Sequence, residues 1–352
     1  MREWVNNIRR VEPYTPGEQP KMANIIKLNT NENPYPPSPM VEEALRKMDV
    51  GFLRKYPDPN SDLLVSAIAE FYGVEKDQVF VGVGSDDVLG MAFLTFFNGS
   101  LPVLFPDITY SFYDVWASLY RIPYEQIPLD EEFRICPEDY MKDNGGIVIA
   151  NPNAPTGTEL PLSEIERILG ANQKSVVVLD EAYVDFGGTS ALPLVKKYEN
   201  LLVVQTFSKS RSLAGVRVGF AIGHRDLIAA LNAVKNSYNS YTMNTPAILL
   251  GTAAVKDRAY FEDCCRKVAA TRERVKKELS ALGFTFGDSV TNFIFAKREG
   301  TSAKELFQAL RENGIFVRWF NKPRISEYLR ITMGTDEEMD RFLRFLKSWL
   351  AS

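Results

Sequence analysis

The chain has 352 residues, 45% hydrophobic and 24% charged, with a formal net charge of -4 at pH 7. That balance fits a soluble globular protein with a sizeable core and gives no basic surface for a polyanion, so nucleic acid is excluded as an expected partner. No run approaches the roughly 18 apolar residues of a membrane span, and the first residues lack a signal-peptide core, so no membrane contact and a cytoplasmic location are expected.

Cys136, Cys264 and Cys265 have neither the even count of a disulfide framework nor zinc-ligand spacing, and read as thiols in a reducing compartment; no metal is expected. His224 is the single histidine, expected in a surface turn. Histidine triads and histidine metal sites are thereby excluded, and proton transfer falls to lysine, tyrosine or carboxylates.

Residues 1–32 read as an N-terminal arm ending in Ile25-Ile26-Lys27-Leu28 and a proline-rich loop with fixed turns. From about residue 60 the pattern alternates. Leu63 to Tyr72 is helical, Val79 to Val83 a strand, Ser85 to Phe97 helical, and Leu101 to Phe105 a buried strand. Gly146 to Ala150 is a strand, followed by a helix from Ser163, whose hydroxyl is expected to cap it with Glu166. Val176 to Leu179 and Leu201 to Val204 are continuous apolar strands, and Val218 to Ile222 is expected to run antiparallel. Such runs between helices imply a mostly parallel sheet buried on both faces. The expected large cofactor domain is 33–244. Beyond it, 245–352 reads as a smaller α+β domain with a long helix from Asp257 to Leu282 and strands at 291–296 and 329–332. The basic residues of that helix, Arg272, Arg274, Lys276 and Lys277, read as a solvated face.

Ligands of open α/β sheets bind at the carboxyl ends of the strands, where helix N-termini gather. Four segments fall there. Gly82-Val83-Gly84-Ser85-Asp86 suits a phosphate at a helix start, and Asn151 to Gly157 is a rigid loop with amide donors; either alone could be a structural turn. Asp180-Glu181-Ala182-Tyr183 ends a buried strand with a carboxylate that needs a cationic partner. In the fourth, Lys209 follows a buried strand, where desolvation and nearby cations favour a usable amine nucleophile. Thr206, Ser208 and Arg217 beside it suit a phosphate dianion. A surface lysine in a loop would leave those flanking hydroxyls and the arginine unexplained.

Ser208-Lys209 with Ala214-Gly215-x-Arg217-x-Gly219, downstream of Asp180-Glu181-Ala182-Tyr183, resembles the cofactor-lysine signature of class I/II aminotransferases of fold type I. The likeness includes Leu28 to Pro34, Arg54 to Pro59, Pro106 to Tyr110 and Leu329 to Thr335, and runs over nearly the whole chain. Pro13-Tyr14-Thr15-Pro16-Gly17 and Gly314 to Arg318 are similar to segments of its histidinol-phosphate aminotransferase branch.

The resemblance implies a large domain with a mostly parallel seven-stranded sheet, a smaller α+β domain, and pyridoxal 5'-phosphate held by Lys209 as an imine. It implies that Asp180 pairs with the ring nitrogen, Tyr183 reaches the phenolate oxygen and Tyr110 stacks on the ring. Ser85 and Asp86 would join Thr206, Ser208 and Arg217 around the phosphate. Tyr56 would reach the phosphate of a neighbouring subunit, which implies a homodimer with shared sites. Tyr14, Asn31, Arg318 and Arg330 would bind substrate. The implied reaction exchanges histidinol phosphate and 2-oxoglutarate for imidazole acetol phosphate and glutamate, a step of histidine biosynthesis. Aromatic amino-acid transamination and threonine-phosphate decarboxylation remain alternatives on the same fold. A catalytically silent sensor would need an added DNA-binding module, and is not expected. One departure stands out: Ala154 occupies a position where the family has an asparagine that donates to the phenolate oxygen. Asn153 is expected to take over; otherwise Tyr183 acts alone.

Overall fold

In the computed structural model, which describes residues 2–21 and 24–351, seven strands form one sheet. Their order is 79–82, 219–223, 201–206, 177–180, 146–150, 103–106, 124–127. The strand Gly219–Gly223 is antiparallel to both its neighbours, and the other neighbouring pairs run parallel.

The continuous apolar runs have a direct cause. Side chains alternate along a strand, and here both faces are covered. Ile147, Ile149, Val177, Leu179, Leu201 and Val203 enter one core cluster, while Val148, Val178, Leu202 and Val204 enter another across the sheet. A polar residue between them would lose its hydration without gaining a partner. Polar side chains therefore appear where the strands end, at Asp180 and Thr206.

A second sheet of four strands, in the order 318–319, 329–332, 293–298, 284–286, is antiparallel throughout. It packs with the helices Arg258–Ala281, Ala303–Glu312 and Asp336–Leu350 around Val268, Val275, Leu306, Leu329 and Phe342. The arm joins this part: Ile26–Lys27 pairs in parallel with Ile315–Phe316.

Three expectations need correction. The boundary at 245 falls too early, because the helix Thr245–Lys256 buries Ala247, Ile248 and Leu250 in the same core as Leu64 and Ile68. The change of core comes with the next helix, whose start at Arg258 is capped by Asp257. Ser163 is no cap; that helix begins at Leu162 after Pro161. The basic stretch 272–277 is not one solvated face. Arg272 and Lys276 are buried, Arg272 donating to the carbonyls of Phe186 and Thr291 at 2.8 and 2.7 Å. Lys276 donates to the Ser289 carbonyl at 2.9 Å. His224 caps the helix Arg225–Tyr238, accepting from the Asp226 N–H at 3.4 Å.

Candidate active site

The carboxyl ends of the central strands open into a cavity of about 400 Å³, within the usual range for a small-molecule site. Ser85, Asp86, Tyr110, Asp180, Tyr183, Thr206, Ser208, Lys209 and Arg217 line it, together with Tyr14, Asn31, Arg318 and Arg330.

Asp180 ends its strand 5% exposed. It accepts from the Tyr113 hydroxyl at 2.8 Å and the Ala182 N–H at 3.2 Å. Burial outweighs those bonds and pushes its carboxyl up to about 6. An adjacent cation would reverse that shift, so the position suits a positively charged ring nitrogen. Tyr113 was not foreseen from the sequence. It sits among the aromatics 110–116, and nothing in its spacing shows that it faces the carboxylate.

One end of the cavity is the start of the helix Ser85–Phe96, whose first amides have no partner within the helix. Gly84 precedes it with φ +85°, and a Cβ there would lie 2.5 Å from Arg217 Nη2. A Cβ on Gly219 would lie 2.3 Å from Gly84 C and Ser85 N. Both glycines thus allow Arg217 and the helix start to converge. Arg217 has φ +59°, a conformation costing a side-chain-bearing residue about 1–2 kcal/mol. Its guanidinium meets Asp86 Oδ2 at 3.0 Å and Ser208 Oγ at 3.4 Å. Thr206 Oγ1 accepts from the Ser208 N–H at 3.1 Å. Free amides, two hydroxyls and a guanidinium make a donor set for a phosphate dianion.

Lys209 Nζ donates to the Thr30 carbonyl at 3.0 Å and lies 5.7 Å from the centre of the Tyr183 ring. Tyr183 OH accepts from Asn31 Nδ2 at 2.9 Å. Tyr110 donates to Asp86 Oδ1 at 2.7 Å. With Phe112, Tyr110 forms an aromatic wall on which Tyr14 of the arm stacks, its ring 4.2 Å from that of Phe112.

Arg330 comes from the strand Leu329–Thr332 and Arg318 from its neighbour. Arg330 Nη2 donates to the Asn29 carbonyl at 3.0 Å, while its Nε is buried with no partner among the described residues. Burial holds its pKa below the usual arginine value. Such an arginine is suited to an anion entering the cavity. Arg318 is half-buried, reaching the Thr15 carbonyl at 3.5 Å.

Asn153 does not join this group. Its amide donates to the Ile108 carbonyl at 2.9 Å and Thr156 Oγ1 at 3.0 Å, and its Oδ1 accepts from Thr109. It lines a separate cavity with Asn151, Thr158 and Leu160. Asn31 lines the main cavity with its Oδ1 taken by Thr332 and one Nδ2 proton given to Tyr183, which leaves the second amide proton over. Tyr56 lies outside the cavity, 82% exposed and stacked on Tyr241. Among the described residues there is no metal-binding cluster and no helix long and apolar enough to cross a membrane.

The aminotransferase class I and II family model matches residues 23–346. The histidinol-phosphate aminotransferase of Clostridium acetobutylicum is 53% identical over 348 residues, covering 99% of each chain. That of Acinetobacter baumannii (strain SDF) is 54% identical over 350 residues, covering 99% of this chain and 97% of its own. The crystal structure of histidinol-phosphate aminotransferase from Sinorhizobium meliloti in complex with pyridoxal-5'-phosphate superposes with a TM-score of 0.83 at 24% identity, covering 92% of this chain and 91% of that one.

Proposed function

The chain belongs to the aminotransferase class I and II family, and from that premise we propose that it moves the amino group of histidinol phosphate to 2-oxoglutarate with pyridoxal 5'-phosphate as cofactor. One observation carries the reading. A lysine, a buried carboxylate and a phosphate-type donor set line a single cavity, in a chain 53% identical end to end to a histidinol-phosphate aminotransferase.

When bound, the cofactor supplies the electron sink for ionising a Cα–H bond. Asp180 holds the proton on the ring nitrogen, because its buried carboxylate is stabilised by that positive charge. Lys209 would hold the cofactor covalently, and its free amine would be the group that takes up and returns the substrate's Cα proton. Tyr183 donates to the phenolate oxygen and Tyr110 covers the ring. The first amides of the helix at Ser85 and Asp86, with Thr206, Ser208 and Arg217, hold the phosphate. Arg330, Arg318 and Tyr14 receive the substrate's anionic end.

The chain is read further as a homodimer in which Tyr56 reaches the partner's phosphate. Its 82% exposure, and the exposure of Val50, Phe52 and Leu53 just before it, support that reading. The chain divides into an arm to residue 32, a cofactor domain from 33 and a C-terminal domain from about 257.

The test is a half-reaction. Histidinol phosphate should convert the cofactor to its aminated form faster than histidinol does, read by absorbance. Equal rates for the two amines would remove the substrate assignment and leave aromatic amino acids or threonine phosphate to be tried in the same assay.

A further inference from the structure

Three consecutive residues of the loop before Pro34 each hold a cavity side chain. The Asn29 carbonyl accepts from Arg330 at 3.0 Å, the Thr30 carbonyl from Lys209 at 3.0 Å, and Asn31 Nδ2 donates to Tyr183 OH at 2.9 Å. Asn31 is 1% exposed with φ +56°, a left-handed conformation that asparagine adopts more readily than most residues. That turn lets neighbouring groups of the loop face different partners.

Asn31 is also locked from behind. The Thr332 hydroxyl accepts from the Asn31 N–H at 3.1 Å and donates to Asn31 Oδ1 at 2.9 Å. Asn292 Nδ2 donates to the Asn31 carbonyl at 3.0 Å. A hydroxyl has one proton, and Thr332 gives its own to Oδ1, so the NH₂ end of the Asn31 amide must face Tyr183. The Tyr183 oxygen is then an acceptor towards Asn31. Its own proton has no acceptor among the described residues, and the residue lines the cavity. Donation into a hydroxyl oxygen also strengthens that hydroxyl as a donor, as in any hydrogen-bonded chain.

We infer that Asn31 is a positioning residue that, backed by Thr332, aims the Tyr183 O–H at the phenolate oxygen of the cofactor and thereby tunes the proton affinity of its linkage to Lys209. The inference rests on the function proposed above. It also explains how the site works with Ala154 lining the cavity and the Asn153 amide bonded elsewhere: the directed chain Thr332 to Asn31 to Tyr183 replaces a second amide donor. Its anchor is the strand that also carries Arg330.

The experiment is a spectrophotometric pH titration of the cofactor-loaded enzyme as wild type, Asn31→Ala, Thr332→Val, Tyr183→Phe, and the Asn31→Ala/Tyr183→Phe double variant. A donor at the phenolate oxygen withdraws the electron density that retains the linkage proton, so its loss raises the midpoint of the absorbance change. Tyr183→Phe should raise it by about one to two pH units, the equivalent of one hydrogen bond to a charged group. Asn31→Ala should move it the same way by a smaller amount, and should add nothing once the Tyr183 hydroxyl is gone. Thr332→Val keeps the shape of the strand and should act like a weaker Asn31→Ala, which secures the test should the asparagine variant fold poorly. An unmoved midpoint in Asn31→Ala and Thr332→Val overturns the inference, as does an Asn31→Ala shift that persists undiminished in the Tyr183→Phe background. Wild-type protein without the absorbance, or a borohydride adduct on a lysine other than Lys209, would instead sink the underlying function.

Discussion

Asp180 and Thr206 end strands of one sheet, the helix at Ser85 starts just after a third, and together they form the floor of the cavity. Tyr14, Asn31, Arg318 and Arg330 form its rim, and come from the arm, a loop and two strands of the second sheet. The floor is placed by main-chain ladders, so each side chain leaves its strand end at a position that its neighbours hardly alter. The rim is placed by single contacts between segments far apart in the chain, such as Arg330 to the Asn29 carbonyl. Changes in the floor should therefore strike chemistry with little effect on folding. Changes in the rim and its braces should be felt through position, specificity or stability.

The largest effect belongs to the floor. Lys209→Ala should lower turnover by more than about a thousandfold, since it removes both the linkage to the cofactor and the proton carrier. Borohydride reduction of the wild type should label one peptide, the one containing Lys209.

Asp180→Asn separates catalysis from stability. In the loaded enzyme the single-turnover rate should fall by about a hundredfold or more, while a rate near wild type would end the role given to this carboxylate. Without cofactor the effect on stability has the opposite sign. The folded-state value of about 6 lies above the ordinary 3.8, so the folded protein binds the proton more tightly than the unfolded chain. Wild-type stability should then decline as pH rises from about 4 through 6 and stay lower above that. The two-unit shift corresponds to at most about 3 kcal/mol. Apo Asp180→Asn should lack that decline and melt at or above the wild type at pH 7.5, although its amide loses one of the two acceptor contacts. A decline of equal size in both proteins would refute the assignment.

The brace beneath the rim is next. Arg272→Met strands the carbonyls of Phe186 and Thr291 and should cost about 2–4 kcal/mol in denaturant unfolding. Two residues along the same helix, half-exposed Arg274 pairs with Asp336 and Asp340. Arg274→Ala should cost less than about 1 kcal/mol. Similar losses would erase the distinction between these two cations.

The smallest effect is expected at the outer rim. Arg318→Ala should shrink the preference for histidinol phosphate over histidinol by about tenfold, the scale of one partly solvated charged contact. The glutamate half-reaction should change less, because Arg330 remains. An unchanged preference would assign phosphate recognition to Arg330 alone.

The asymmetry between floor and rim also explains what could be read from the chain. The apolar runs, glycines at the helix start, the polar residues at strand ends and Lys209 flanked by hydroxyls are local patterns with local causes. Six of the seven strands, one of them antiparallel, follow from them; the edge strand Tyr124–Ile127, exposed over its first three residues, does not. Asn153 and Asn31 are chemically alike in sequence and end with different partners, because each amide faces whatever the folded neighbours present. Tyr113 is one of several aromatics in its stretch, and only the packing of its helix against the sheet turns that hydroxyl towards Asp180. Arg272 and Arg274 stand on one helix, and only the angle of that helix against the loop 287–292 buries the first.

The sequence by itself determined the alternation of buried strands and helices, the donor set at the strand ends and the lysine placed among it. These depend on periodicity and on residues within a few positions of one another, which the chain carries in its order. The tertiary structure alone decided that Asn153 turns away, that Asn31 serves Tyr183, that Arg272 and Lys276 are buried and that the second core begins near residue 257. Each of these is fixed by hydrogen bonds or packing between segments far apart in the chain. The direction of a side chain there depends on which partner the folded backbone brings within about 3 Å of it.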